Sequence, residues 1–209
     1  MPPTPLPAAL GPILEWLDFA GIAVFALSGA LLAAKRGQTV VTFFFFAVVT
    51  AVGGGTVRDL LIGAPVFWVH TNATLLICMA AAVAVWLFSR HAFAGKALLW
   101  FDAIGLAAYA SYGAAKALAF GVAPVPAFAM GVMTACVGGI IRDVLAGEPS
   151  ILMRPELYVT AAALASGLFV TLSLFGAPAA LAALVAGLAG FSLRGAAIAR
   201  GIKLPAYDR

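Results

Sequence analysis

Two arginine–aspartate pairs lie inside otherwise apolar sequence, and glycines precede both. Arg58 and Asp59 follow Gly53, Gly54 and Gly55; Arg142 and Asp143 follow Gly138 and Gly139. Aligned at an offset of 84 residues, the stretches 51–65 and 135–149 agree at eight of fifteen positions. These are Ala51/Ala135, Gly54/Gly138, Gly55/Gly139, Arg58/Arg142, Asp59/Asp143, Leu61/Leu145, Gly63/Gly147 and Pro65/Pro149. Glycine in a helix interior costs about 0.8–1 kcal/mol relative to alanine, and a charge at membrane depth is costlier still. Paying both twice at one register points to a duplicated unit. Fixed charges of both signs at depth suit passage of an ion or a small polar solute.

The surrounding sequence is that of an integral membrane protein. Of 209 residues 64% are hydrophobic and 10% charged, against about 25% charged in a soluble domain. Runs of about 20 apolar residues cross the hydrocarbon, and seven are present, at about 13–34, 39–62, 72–88, 97–120, 124–147, 156–175 and 179–193. The net charge of +4 is therefore no nucleic-acid signal. Cys78 and Cys136 fall inside apolar spans, without metal-ligand spacing. The start, Met1-Pro-Pro-Thr-Pro-Leu-Pro, has no basic residue, so it reads as a retained irregular tail rather than a signal peptide.

The offset of 84 extends beyond the motif. It maps Asp18 onto Asp102, Gly21 onto Gly105, Gly29 onto Gly113 and Gly37 onto Gly121 without a gap. The expected architecture is an all-α integral membrane protein in a single membrane domain, 1–209. Repeat one covers about 13–90, repeat two about 97–175, an extra helix about 179–193 and a basic tail 194–209. Three spans per repeat force the second to enter the membrane from the opposite side, giving an inverted repeat. In that design, sites form near the midplane from discontinuous helices. Lys35, Arg36, Arg90, Lys96, Arg154, Arg194, Arg200, Lys203 and Arg209 all fall on the side opposite the N-terminus, and Arg142 lies toward it. Basic loops stay inside, which predicts an external N-terminus and a cytoplasmic C-terminus.

Depth follows from helix rise. Gly54 lies about 15 residues into its span, roughly 22 Å into a core about 30 Å thick. That places it beyond the midplane, with Arg58 about 6 Å further. By symmetry Gly138 and Arg142 lie equally far the other way. Neighbouring helix positions do not face each other, so each charge is expected to meet water or a more distant partner. Two broken helices with charges at opposite mouths describe an hourglass-shaped wet path. The alternative is that the glycines allow close helix packing and the charges form structural ion pairs.

Lys116 lies about 14 residues after Asp102, roughly 21 Å into its span. Its repeat counterpart is Leu32. A lysine this deep fits a pathway or a sensor, or it snorkels outward on its long stem. Asp18 and Asp102 stand near span starts, where an acid lines the path or simply suits the positive helix end. Ser28, Ser111 and Tyr112 line the path or bond back to their own helix. Nothing reads as an enzyme: His70 and His91 are solitary, no nucleophile and base converge, and the glycine triplet lacks the strand-then-helix setting of a phosphate loop.

The run from Gly53 to Gly63 with Pro65, echoed from Gly138 to Gly147, resembles the prokaryotic trimeric intracellular cation channel (TRIC) family. The resemblance covers nearly the whole chain. It implies seven helices in two inverted repeats plus one, and a homotrimer in the cell membrane with a separate pore in each subunit. It also implies kinked helices 2 and 5 lining that pore with helices 1 and 4, and passage of potassium and sodium. Beyond the transported ions and membrane lipid it implies no cofactor and no nucleic-acid partner. Lys116 resembles the helix-4 gating lysine of animal members. Val137 departs from the pattern, standing where repeat one has Gly53, and the long charged tail of animal members is missing. Some bacterial relatives have been viewed as small-solute transporters, glycine among the solutes, which is the rival reading.

Overall fold

The computed structural model describes residues 11–92 and 96–205. Among these, seven α-helices follow in order: α1 Gly11–Lys35, α2 Val40–Leu61, α3 Asn72–Ala92, α4 Ala97–Ala119, α5 Pro124–Leu145, α6 Val159–Leu174 and α7 Ala179–Arg200. A short 3-10 turn, Ile151–Met153, precedes α6. Met1, Arg209 and the rest of both termini lie outside the described residues, as do the side chains of Arg90 and His91.

The helices end where the sequence stops them. Gly63 and Gly147 take the left-handed conformation, with φ of 67° and 66°, open to glycine at no steric cost. The next amides, of Ala64 and Glu148, then reach back to the carbonyls of Asp59 and Asp143 at 2.8 and 3.0 Å. This six-to-one closure satisfies carbonyls that a helix end would otherwise leave orphaned. It also folds each following loop over its aspartate.

Reciprocal contacts relate the repeats by a pseudo-twofold. A Cβ on Gly21 would enter the Tyr109 ring, and one on Gly105 would press on Phe25; Tyr109 and Phe25 are themselves 84 apart. So α1 packs on α4, and α2 on α5. Helix α7 closes the bundle against α4 and α6.

Four helices are long and apolar enough to cross a membrane by themselves: α1, α2, α5 and α7. The apolar parts of α3 and α6 are shorter. Helix α4 carries Asp102, Tyr109, Ser111, Tyr112 and Lys116, so its hydropathy is lower. It can afford these groups because α1, α5, α6 and α7 surround it and most of its central residues are buried. The leucines, valines and aromatics of the outer surface, such as Leu60, Leu87, Phe88, Leu174 and Phe175, are exposed and suit lipid.

Two expectations need correction. Helices α2 and α5 are continuous α-helices through Gly53–Gly55 and Gly138-Gly139; the glycines do not break them. And α7 runs on to Arg200, so the expected tail from 194 begins as helix. Arg194 is buried there at 1% exposure, paired with Glu156 at 2.6 Å.

Candidate functional site

The glycines bring two backbones together. A Cβ on Gly54 would collide with the Thr134 carbonyl, and one on Gly138 with the Thr50 carbonyl. Any larger residue would push α2 and α5 apart. The crossing is centred near residues 52 and 136, close to mid-helix. Gly54 and Gly138 therefore lie only about 3 Å from it along the axis, not far to opposite sides as the depth reckoning expects. That reckoning counts from the span's entry, whereas α2 has 22 residues, is about 33 Å long, and has its middle near residue 51. Gly53 is less constrained: a Cβ there would meet the flexible Ile141 Cδ1 at 3.2 Å. Thr50 and Thr134 flank the crossing, each donating its hydroxyl to its own helix, to Phe46 and Met130 carbonyls at 2.6 Å.

Each helix then delivers an ion cluster about six residues past the crossing, roughly 9 Å to either side. End A of the bundle holds the start of α1; end B holds its finish. In both clusters the arginine Nε donates to the neighbouring aspartate Oδ1 at 2.9 Å, and Nη2 stands 2.8 Å from the same oxygen. In both, the second carboxylate oxygen accepts a backbone amide at 3.1 Å, from Phe67 in one and Ile151 in the other. Adjacent helix positions therefore do pair, against the expectation. Cβ vectors diverge, but three methylenes let the guanidinium fold back onto its neighbour.

What completes each cluster differs. At end A, Lys116 on α4 reaches Asp59 at 2.9 Å to Oδ1 and 3.0 Å to Oδ2. The Arg58 guanidinium lies over the Tyr112 ring, 5.1 Å from its centroid. Asp18 accepts from the Tyr109 hydroxyl at 3.0 Å. At end B, Arg142 Nη1 reaches Asp102 Oδ1 at 2.7 Å and the Ser28 hydroxyl beside it. Tyr112 and Ser28, like Asp18 and Asp102, are counterparts in the repeat.

The charges are enclosed rather than at open mouths. Arg58 and Asp59 are 1% and 0% exposed, Asp102 and Arg142 1% each, and Asp143 5%. At end B a cavity of about 180 Å³ is lined by Asp102, Arg142, Asp143, Lys35, Glu148 and Arg154, among others. Ser111 is buried, its hydroxyl without a hydrogen-bond partner among the described residues. No group of three or more His, Cys, Asp or Glu able to hold a metal occurs among the described residues.

Several participants escape the sequence reading. Thr50 and Thr134 stand at the diagnostic offset and were findable by it. Tyr109 and Tyr158 have Phe25 and Thr74 as counterparts, Arg194 lies on α7 outside the repeats, and nothing in their spacing signals a role.

A family model described as Glycine transporter matches the chain twice, over residues 15–90 and 99–174. The two windows are themselves displaced by 84 residues. The chain is 37% identical over 201 residues to the UPF0126 inner membrane protein YadS of Escherichia coli K12, covering 93% of this chain and 96% of that one. It is 39% identical over 203 residues to a UPF0126 membrane protein of Vibrio cholerae, covering 93% and 83%. Among solved structures it is similar to the TRIC trimeric intracellular cation channel orthologue from Rhodobacter sphaeroides. The identity is 43% with a TM-score of 0.88, covering 91% of this chain and 99% of that one. Duplicated sequence, reciprocal helix packing and relatives matched end to end agree: the chain is a multi-pass membrane protein of the UPF0126 family, the prokaryotic branch of the trimeric intracellular cation channels.

Proposed function

We propose that the protein is a monovalent cation channel, passing potassium and also sodium, with one path inside each subunit of a homotrimer. The observation that carries this is the pair of buried ion clusters on either side of the α2–α5 crossing, both inside a single chain. Helices α1 and α4 supply the remaining polar groups along the same line. The path would sit in the inner membrane, with end B and its lysines and arginines on the cytoplasmic side. It needs no cofactor; the transported ions and bound lipid are the only small partners.

Thr50 and Thr134 are 1% and 2% exposed where the helices touch, so conduction requires α2 and α5 to part at the crossing. Lys116 is placed to control this, because it ties α4 to Asp59 on α2. A full charge crossing the field carries about 2.3 kcal/mol per 100 mV, and Lys116 would move through part of it. Purified protein in planar bilayers under a KCl gradient should give discrete currents reversing toward the potassium equilibrium potential. Solute uptake without such currents would contradict the proposal.

The description of the matching family model favours a second reading, a carrier for a zwitterion such as glycine. Carriers of inverted-repeat design greet a carboxylate with half-helix N-termini. Here α2 and α5 run unbroken past the glycines, and the channel reading is the better supported.

A further inference from the structure

The two ends of the bundle differ in one respect that bears on where a cation rests. At end A every carboxylate oxygen of Asp59 is engaged, by Arg58, Lys116 and the Phe67 amide. At end B, Asp102 gives only Oδ1 to Arg142 and Ser28. Among the described residues its Oδ2 and the Tyr158 hydroxyl are buried without a hydrogen-bond partner. The Tyr158 hydroxyl and the Asp102 carboxylate, through Oδ1, meet at Gly139. A Cβ there would stand 2.8 Å from the Tyr158 hydroxyl, 3.5 Å from Asp102 Oδ1 and 3.7 Å from Arg142 Nη2. The equivalent space beside Gly55 is taken by the Phe67 ring, whose Cε1 a Cβ would meet at 2.6 Å.

We propose that the Asp102 carboxylate, which lines the end-B cavity, and the buried Tyr158 hydroxyl behind it form a resting site for a hard monovalent cation. The proposal rests on the channel reading above and names where its ion pauses. The buried charges at end B are Arg142 against Asp102 and Asp143, with Arg194 neutralised by Glu156, which leaves one negative charge over. End A, with Arg58 and Lys116 against Asp59 and Asp18, balances. A single excess charge suits one monovalent ion rather than a divalent one. The cavity holds about 180 Å³, room for waters to complete the shell at about 30 Å³ each. Lys35 and Arg154 also line it, but Lys35 is exposed and paired with Glu148, and Arg154 binds the Pro149 carbonyl at the surface. Solvent screens both. The Tyr158 ring is held under Arg194, 5.3 Å from its centroid, and Arg194 is fixed by Glu156. The hydroxyl is thus aimed rather than free to swing.

The test uses the purified full-length protein. Replacing N-methyl-D-glucamine chloride by KCl at equal ionic strength should raise the melting temperature, since a ligand stabilises the state that binds it. Tyr158→Phe keeps the ring under Arg194 and should diminish that potassium-dependent shift, while Thr74→Ala, at the counterpart position, should preserve it. In bilayers Tyr158→Phe should raise the half-saturating potassium concentration about fivefold, the loss of one polar contact. An undiminished potassium effect in Tyr158→Phe overturns the site. Absence of current in the parent would instead sink the channel reading, and the melting comparison would still decide the site by itself.

Discussion

The clusters at the two ends share a frame and differ in what fills it. Arginine, aspartate and the loop amide keep the same distances in both repeats, 2.9 Å and 3.1 Å. Around that frame, Lys116 answers Leu32, Tyr112 answers Ser28, and Phe67 answers Ile151. The repeated motif is therefore the scaffold that caps α2 and α5 and folds the loops. The unrepeated residues on α1 and α4 set the charge: balanced and cross-linked at end A, anionic with an open carboxylate oxygen at end B. Duplication supplied the architecture, and divergence made the ends unequal.

The largest expected effect tests that inequality on stability. Arg142→Ala strands Asp102 and Asp143 together. Breaking a buried pair in this way costs about 3–5 kcal/mol, so this variant should fail to assemble. Arg58→Ala leaves Asp59 its bond to Lys116 and should melt lower yet remain oligomeric. Equal losses, read by oligomer yield and melting, would erase the distinction between the ends.

Next come the glycines at the crossing. Gly54→Ala with Gly138→Ala pushes two methyls into carbonyl oxygens. Overpacking costs about 1–3 kcal/mol per site, so lowered stability is expected before any loss of current. This reverses the expectation from sequence, in which a hinge would lose current and keep its assembly. Gly53→Ala should melt within about 0.5 kcal/mol of the parent, because only the Ile141 terminus must yield and repeat two already carries Val137. A double variant that melts like the parent but carries no current would restore the hinge.

The layout of seven spans, the inverted repeat and the charged residues were all legible, because apolar run length and a gapless offset are properties of sequence. Helix continuity was not. Three glycines lower helix propensity, but the carbonyl packed against each of Gly54 and Gly138 belongs to the other repeat, and no local pattern reports it. Nor was the partnership of Lys116 with Asp59 legible, since a lysine without a repeat counterpart gives no register to follow. Arg194 read as tail because a buried arginine at a helix end depends on Glu156, 38 residues away.

Smaller effects sharpen the picture. Lys116→Leu gives end A the residue of end B. It should keep the oligomer and change open probability or its voltage dependence, read in single-channel records. An unchanged voltage response would assign Lys116 a purely structural tie. Glu148→Gln removes the rim pairs with Lys35 and Arg36, at 3.6 and 3.0 Å. Its counterpart is Ala64, and exposed pairs contribute about 0–1 kcal/mol, so melting should barely move. A drop as large as that of Arg58→Ala would mean the rim, not the buried cluster, holds end B together.

The central claim is a cation path inside each chain, bounded by both clusters. Counting conductance levels in single-channel recordings of the purified oligomer in symmetric KCl tests it most directly. Separate paths in a homotrimer predict three equal steps per inserted complex. One indivisible level, or potassium-independent solute uptake with no steps, would contradict it.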